Sequence, residues 1–208
     1  VITRFDDAVR TEYPSVQTGA LNNAHGDWFE WLLSIAAWNT HINYQTAYVA
    51  FSLPNISQFD CARLYIPQLF DMIQHLREEV QRSSNVQLIS SNPDFVVIDN
   101  RKFMHNILEG AIQSVTQSEV RRLDLAYHDY QDQCDFEAIR GYMAAKLSFR
   151  PDRRLQIPHE GSLMKALYVH LQTRQWITKP PGIRYYAMAA AVNAADRNAL
   201  STVATHSI

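Results

Sequence analysis

The chain has 208 residues, of which 47% are hydrophobic and 19% charged, and its formal net charge is −2. This composition excludes a disordered or polybasic protein, and no apolar run is long enough to cross a membrane. Taken as an average, the slightly acidic charge also argues against a nucleic-acid partner. We expect residues 1–208 to form one domain, because a chain of this length can bury a single core. Cys61 and Cys134 fit no metal-ligand spacing, which indicates two unpaired thiols in a reducing compartment.

Helices and strands alternate in the predicted order of elements. Trp28, Trp31 and Ile35 share one face of a helix predicted over residues 27–39, with Asp27 as its N-cap. Farther along the chain the patterns predict helices over 62–82, 103–119, 134–143 and 162–176, and strands over 44–53, 86–89, 95–99, 144–149 and 183–190. This interleaving indicates an α/β fold in which helices flank a mixed central sheet.

Three charged residues stand where the predicted strands bring them to one edge of that sheet. Asp94 precedes an apolar strand, Lys146 interrupts another, and Glu160 comes just before the helix predicted from residue 162. Carboxylates hold hard divalent cations, most naturally Mg²⁺, and a lysine beside them stabilises developing negative charge. The set therefore predicts metal-dependent hydrolysis of a phosphodiester. Each residue also has an ordinary structural explanation, as a turn cap, a side chain reaching solvent and a helix N-terminal acid respectively.

Several other kinds of site are excluded by spacing. Ala144 stands two places before Lys146, where a common nuclease signature carries an acidic residue. His159 and His170 are eleven residues apart, whereas a zinc-binding pair on one helix needs a step of four. The sequence also lacks the glycine-rich phosphate loops and the nucleophile elbow of nucleotide-binding proteins and serine hydrolases.

The segment Arg150-Pro151-Asp152-Arg153-Arg154 is predicted to form a short loop directly after the lysine-bearing strand. Arginine pairs with O6 and N7 of guanine, and aspartate accepts a hydrogen bond from N4 of cytosine. Arg150, Asp152 and Arg153 are therefore suited to reading a G·C-rich step in the major groove. The alternative is a cluster of surface ion pairs, which contributes little energy.

Together these residues resemble type II restriction endonucleases that cut within a CCGG core, nearest the tetrameric Cfr10I/Bse634I branch that cuts RCCGGY. Residues 100–143 match least. The resemblance rests on long motifs in the same order, namely GDWFEWLLSIAAWN (26–39), SLPNISQFD (52–60), LISSNPDFVVID (88–99), KLSFRPDRRLQIPHEGSLMKALYVHLQTRQW (146–176) and GIRYYAMAAA (182–191) with ALSTVATHSI (199–208).

The resemblance implies a restriction-endonuclease-like fold of the PD-(D/E)xK class and a catalytic role for four residues. Asp94 and Glu160 match the two metal-binding carboxylates, the second of which comes from a helix in this family and not from the strand of the lysine. Lys146 matches the catalytic lysine. Glu30 matches a further acidic residue on the early helix that supports the site.

The resemblance also implies how the protein meets DNA and its own copies. Arg150, Asp152 and Arg153 match the residues that read the CCGG core, and Arg174 and Trp176 match the region where two dimers pack together. The implied protein is a Mg²⁺-dependent endonuclease of the bacterial or archaeal cytoplasm that acts on double-stranded DNA as a homodimer or homotetramer.

Some points stay open at this stage. Family members extend beyond both ends of this chain, so we expect residues 1–208 to be truncated at each end. The outer bases of the target, the number of metal ions and the need for a tetramer are undetermined, and residues 18–25 are expected to form a loop with further DNA contacts. The alternatives are a DNA-binding protein that no longer cleaves DNA and a nuclease of different specificity.

The distribution of charge changes the meaning of the net charge. Residues 1–139 hold 9 Lys and Arg against 18 Asp and Glu, whereas residues 140–184, the basic segment, hold 9 against 2. The basic segment contains Lys146 and the Arg150–Arg154 motif. A concentrated positive field of this kind attracts a phosphate backbone, so the near-neutral total does not argue against DNA.

Overall fold

The protein is described here from a computed structural model, which covers residues 1–88, 92–103 and 109–206, apart from the side chains of Asp152 and of residues 202–206. The helices are α1 (Ile2–Glu12), α2 (Thr18–Tyr44), α3 (Pro67–Ser84), α4 (Gln117–Asp124), α5 (Pro151–Arg174) and α6 (Ala194–His206). The strands are β1 (Tyr48–Ser52), β2 (Phe95–Asp99), β3 (Ile139–Ser148) and β4 (Arg184–Ala191). Across these ranges no helix combines the length and the apolar character that a bilayer span requires.

The four strands form one sheet in the order β1-β2-β3-β4. Strand β2 runs antiparallel to both β1 and β3, and β4 runs parallel to β3. A parallel pair needs a long crossover, which α5 supplies. Gly141 is required where β3 meets β4, because a Cβ there would lie 2.7 Å from the carbonyl oxygen of Arg184. The prediction of a mixed central sheet is thus confirmed.

Helices cover both faces of the sheet. Helix α2 packs against β1 and β3, and its side chains line a groove with residues of all four strands, including Val97 and Met188. Helices α3 and α5 pack against each other on the opposite face, where Leu69, Ile73 and Leu171 are fully buried with Val96 and Ile98 of β2. Val97 lies beside α2, whereas Val96 and Ile98 lie in the core on the opposite face. Side chains that alternate in this way are expected of a strand that is buried on both faces.

The strand predictions for 95–99 and 183–190 are confirmed, the second to within one residue. Residues 44–53 contain β1, although the strand is shorter than predicted. Of the strand predicted over 86–89, residues 86–88 are not strand and Ile89 lies outside the described residues. The helix predicted over 62–82 is divided into a 3₁₀ turn at Cys61–Leu64 and α3, because Pro67 starts a new helix.

Other predictions need larger corrections. Residues 27–39 are helical, but within the longer α2, so Asp27 is not an N-cap and residues 18–25 are not a loop. The helix predicted over 134–143 is wrong, because residues 139–143 pair with β2 and β4 as part of β3. Of the helix predicted over 103–119, residues 104–108 lie outside the described residues and α4 begins only at Gln117, after its cap Thr116.

Helix α5 begins at Pro151 and not at residue 162. Proline fits the first turn of a helix, where its missing N–H has no partner to lose, and Arg150 is the N-cap. Pro158 and Gly161 lie inside the helix. Two predictions are corrected as a result: the Arg150–Arg154 motif is the start of a helix and not a loop, and Glu160 lies in the middle of α5 and not at its N-terminus.

Candidate active site

The centre of the candidate site is a contact between Asp94 and Lys146. The ammonium group of Lys146 donates to Oδ2 of Asp94 at 2.7 Å, and the backbone N–H of Ala145 donates to the same oxygen at 2.7 Å. Asp94 directly precedes β2 and Lys146 lies in β3, so the pairing of these strands brings together residues 52 positions apart. Both side chains are only about one-fifth exposed. The buried lysine is therefore paired, as its environment requires.

The backbone before Asp94 is held by an amide side chain. Nδ2 of Asn92 donates to the carbonyl oxygens of Pro54 and Phe59, at 2.8 and 2.6 Å, and its Oδ1 accepts from the N–H of Cys61 at 3.1 Å. The N–H of Leu53 donates to the carbonyl oxygen of Asp94 at 2.8 Å. These bonds fix the entry of the chain into β2, so the direction of the Asp94 carboxylate follows from the fold.

Glu30 of α2 belongs to the same group of charges. The pKa of Glu30 is raised from 4.5 to about 7, first by burial and then by the neighbouring charge of Asp94, while Lys146 counteracts part of the shift. Asp27 and Asp124 add to the effect. Glu30 can consequently hold a proton near neutral pH, which an ordinary glutamate does not do.

Asp124 and Ser52 are neighbours of Glu30 that the sequence did not reveal as site residues. With Asp27 and Trp31 they line a cavity of about 360 Å³ beside Glu30. The hydroxyl of Ser52 donates to Asp124 at 3.4 Å, yet burial keeps the pKa of Asp124 above its ordinary value. The carboxylates of Asp27, Glu30 and Asp124 therefore line a single recess.

Glu160 lies on α5, and both of its carboxylate oxygens accept a hydrogen bond. The hydroxyl of Tyr185 donates to Oε2 at 2.6 Å, and the amide of Gln156 donates to Oε1 at 2.7 Å. Burial, followed by the bond to Glu160 and its charge, raises the pKa of the Tyr185 phenol, so the hydroxyl stays protonated. The charge of Asp94 adds to this shift, so Tyr185 lies within the electrostatic reach of both carboxylates.

The donor set fits a hard divalent cation. Asp94 and Glu160 offer carboxylate oxygens, and the charges of Asp94, Asp27 and Asp124, which after burial raise the pKa of Glu30, are charges that such a cation would offset. Within the ranges that the structure covers, no three Asp, Glu, His or Cys side chains converge as a complete metal cage. Mg²⁺ does not need one, because it keeps several waters and takes one or two carboxylates together with substrate phosphate.

The predicted DNA-reading residues begin α5, immediately after the strand that carries Lys146. Arg150 is exposed at the N-cap, and Nη1 of Arg153 lies 3.5 Å from the carbonyl oxygen of Ser148. The side chain of Asp152 lies outside what the structure describes. Arg154 is different: it donates to the carbonyl oxygen of Phe149 at 2.9 Å and pairs with Asp196 at 2.6 Å, so it faces the protein.

Arg174 and Trp176 lie far from these groups along the chain, at the C-terminal end of α5. Arg174 is the last helical residue and is exposed, and Trp176 is 88% exposed with a left-handed φ of 56°. Tryptophan is enriched at protein–protein interfaces, and this indole is accessible for such a contact.

Comparison with known proteins gives a consistent result. A family model described as Cfr10I/Bse634I restriction endonuclease matches residues 3–208. The type II restriction enzyme Cfr10I of Citrobacter freundii is 41% identical over 207 residues, which are 98% of this chain and 72% of that enzyme.

Solved structures agree with the sequence comparison. The type IIF restriction endonuclease Bse634I with cognate DNA superimposes with a TM-score of 0.87 at 28% identity, over 99% of this chain and 72% of that one. A second Bse634I structure gives a TM-score of 0.85 at 29% identity, over 97% and 70%. Both likenesses span the sheet and the helices that carry the candidate site.

Proposed function

The chain belongs to the Cfr10I/Bse634I family of restriction endonucleases and is a type II site-specific deoxyribonuclease, and from this premise we propose that it cleaves double-stranded DNA with Mg²⁺ at a palindrome with a CCGG core, RCCGGY. The observation that carries the proposal is the 2.7 Å contact of Lys146 with Asp94, beside a glutamate whose pKa is about 7. Paired strands hold the lysine and the carboxylate together, which is the arrangement that phosphodiester hydrolysis needs.

Asp94 and Glu160 are the residues that would hold the metal. When bound, Mg²⁺ supplies polarisation of the scissile phosphate and a lower pKa for a bound water. Lys146 stabilises the negative charge that develops on the phosphate and orients the attacking water toward it. Glu30 accepts or holds a proton near neutral pH, because burial and Asp94 have raised its pKa to about 7. In-line attack then leaves a 5′-phosphate and a 3′-hydroxyl.

Sequence reading is assigned to the start of α5. Arg150 and Arg153 pair with guanine in the CCGG core, and Asp152 accepts from cytosine. These residues follow the Lys146 strand within one turn of helix, so the reading and cutting groups belong to one rigid unit. The basic segment supplies the positive field that draws the DNA backbone to this face.

A palindromic target calls for a two-fold dimer, since protein symmetry mirrors the symmetry of the site. We assign Arg174 and Trp176 to the contact between two such dimers, which makes the protein a homotetramer. The exposed indole supports this assignment. The protein is assigned to the bacterial or archaeal cytoplasm, where its two free, buried thiols would remain reduced.

Digestion of a mapped plasmid with Mg²⁺, followed by sequencing of the cut ends, tests the proposal as a whole. We expect cuts only inside RCCGGY sites, with 5′-phosphate ends, and no cuts with EDTA or with Asp94→Ala. Specific binding without any cleavage would instead identify a DNA-binding protein on a nuclease scaffold. Cuts at other sequences would support the proposed cleavage chemistry but refute the proposed RCCGGY specificity.

A further inference from the structure

We propose that Tyr185 is a positioning residue for the metal site, which acts by fixing the carboxylate of Glu160 against the sheet. The inference rests on the proposed function, in which Glu160 is one of the two metal-binding carboxylates. Tyr185 is not among the residues from which the site was predicted. Tyr185 would touch neither the metal nor the DNA and would act only through Glu160.

The contact itself is short and directed. The phenol hydroxyl donates to Oε2 of Glu160 at 2.6 Å, within the range for a hydroxyl bonded to a carboxylate. Gln156 donates to the other oxygen from one turn earlier in α5. The two partners differ in rigidity, since Gln156 is exposed on a flexible stem whereas the Tyr185 ring is packed. The ring is therefore the partner that sets the position of the carboxylate.

Gly161 makes room for that ring. A Cβ at residue 161 would lie 3.2 Å from Cγ of Tyr185 and 3.3 Å from its Cβ. The absence of a side chain directly after Glu160 allows the aromatic ring to lie against the helix backbone. A glycine inside a helix costs up to about 1 kcal/mol relative to alanine. The close approach of Tyr185 gives a reason for its presence at residue 161.

Tyr185 connects Glu160 to the strands that carry the other site residues. In the parallel β3–β4 pair, Tyr185 is opposite Tyr142 and Lys146 is opposite Ala189. Because side chains alternate along a strand, Tyr185 and Lys146 project from the same face of the sheet. The hydroxyl of Tyr185 thus reaches a helical carboxylate from a point fixed relative to Lys146.

This sequence has a particular need for such a link. Where an acidic residue stands two places before the lysine, the strand itself fixes both groups, but here that place is Ala144. Glu160 comes instead from a helix, and a helix can shift against a sheet. A hydrogen bond from the neighbouring strand restores the fixed distance between the two carboxylates that a metal ion requires. Groups that orient a metal ligand in this way affect metal affinity about 10- to 100-fold.

The test compares Tyr185→Phe with Tyr186→Phe. The first variant retains the ring against Gly161 and loses only the hydroxyl. The second removes a hydroxyl from the next residue of β4, which points to the opposite face. Two quantities are measured: the Mg²⁺ concentration for half-maximal single-turnover cleavage of a duplex carrying ACCGGT, and the Mn²⁺ concentration for half-maximal thermal stabilisation of the protein–DNA complex.

For Tyr185→Phe we expect both concentrations to rise about tenfold or more, with the cleavage rate at saturating metal and the melting temperature without metal close to those of the unaltered protein. Tyr186→Phe should match the unaltered protein in every respect. An unchanged metal requirement in Tyr185→Phe would overturn the inference. So would a lower saturating rate at an unchanged metal requirement, because positioning acts on metal binding.

Glu160→Gln separates this inference from the proposed function. If Glu160→Gln leaves the metal requirement unchanged, the metal-binding role of Glu160 is wrong and the inference falls with it. If Glu160→Gln raises the requirement and Tyr185→Phe does not, the proposed function stands and the inference alone is wrong. If Tyr185 acts through Glu160, adding Tyr185→Phe to Glu160→Gln should cause no further rise in the Mn²⁺ midpoint of thermal stabilisation. If each substitution raises the midpoint by its own factor in the double variant, the inference is wrong.

Discussion

The guanidinium of Arg154 lies 2.6 Å from a carboxylate oxygen of Asp196, and this pair joins the first turn of α5 to the first turn of α6. Asp196 is 4% exposed, and it also accepts from the N–H of Asn193, whose side chain accepts from the N–H of Asp196 in return. The pair therefore lies inside a reciprocal helix cap. The pair therefore anchors the helix turn that also carries Arg153, one of the proposed DNA-reading residues.

Replacing Arg154 by Met should destabilise the protein by about 3 kcal/mol or more, because it leaves a buried carboxylate without its cation. The measurement is urea denaturation followed by tryptophan fluorescence. Arg197→Met, which removes an exposed charge from the same helix as Asp196, should change stability by less than about 0.5 kcal/mol. Equal effects of the two variants would show that the pair contributes no more than a surface charge.

Lys146→Met and Asp94→Ala should each lower the single-turnover rate of DNA cleavage by at least about a hundredfold, since Lys146 stabilises charge on the reacting phosphate and Asp94 would hold the metal. Gel-shift affinity for RCCGGY DNA without metal should remain measurable. Lys165→Met removes a lysine from an exposed position farther along α5 and serves as the matched control, which should cleave DNA at the normal rate. Efficient cutting by Lys146→Met would refute the catalytic assignment.

The stability of the metal-free protein should fall as pH rises from 4.5 to about 7. The folded state keeps the proton of Glu30 up to a pKa of about 7, because burial and Asp94 oppose its charge, whereas the unfolded chain loses that proton near 4.5. The folded state thus binds more protons in this window, and the loss is on the order of 3 kcal/mol by linkage.

Thermal unfolding across this pH range, with and without Mg²⁺, measures the effect. Glu30→Gln should flatten the profile, and Mg²⁺ should stabilise the protein most above pH 7, where the carboxylates are charged. A profile of the Glu30→Gln variant that still falls between pH 4.5 and 7 would assign the effect to other groups.

Arg153→Ala should reduce discrimination at one guanine of the core by about 1–3 kcal/mol. Binding to substituted duplexes, in competition with the RCCGGY duplex, gives this number base by base. Lys165→Ala serves as the control for a lost positive charge on the same helix and should leave the ratio between sequences unchanged. If Arg153→Ala weakens binding to every sequence equally, Arg153 contacts a phosphate and not a base.

Trp176→Ala should shift the protein from tetramer toward dimer in sedimentation velocity, because it removes the indole that is 88% exposed in the isolated chain. Tyr44→Ala removes an aromatic ring that is 78% exposed at the end of α2 and should leave the distribution unchanged. A tetramer that survives Trp176→Ala at low concentration would exclude this residue from the interface.

The sequence alone predicted much of the fold and singled out the charged residues proposed for the site. The short apolar run at 95–99, rich in β-branched residues, predicted a strand, and it became β2. The alternation of elements indicated the mixed sheet. Asp94 and Lys146 stood out because each is a charge in or beside a buried strand, and charges there are expensive unless they are paired. Their contact at 2.7 Å is the pairing that this cost predicts.

Only the tertiary structure decided the rest. Residues 139–143 were predicted as helix and became strand, since pairing with β2 and β4 outweighs a weak local preference. Pro158 and Gly161 resemble helix breakers, yet α5 runs through both, because packing against the sheet stabilises the helix and Tyr185 occupies the space at the glycine. Tyr185, Asp124 and Ser52 gave no signal in the sequence. These polar residues are recognised only when the folded chain brings them close to the other site residues. The 2.6 Å contact between the Tyr185 hydroxyl and Glu160, for example, cannot be predicted from their spacing along the chain.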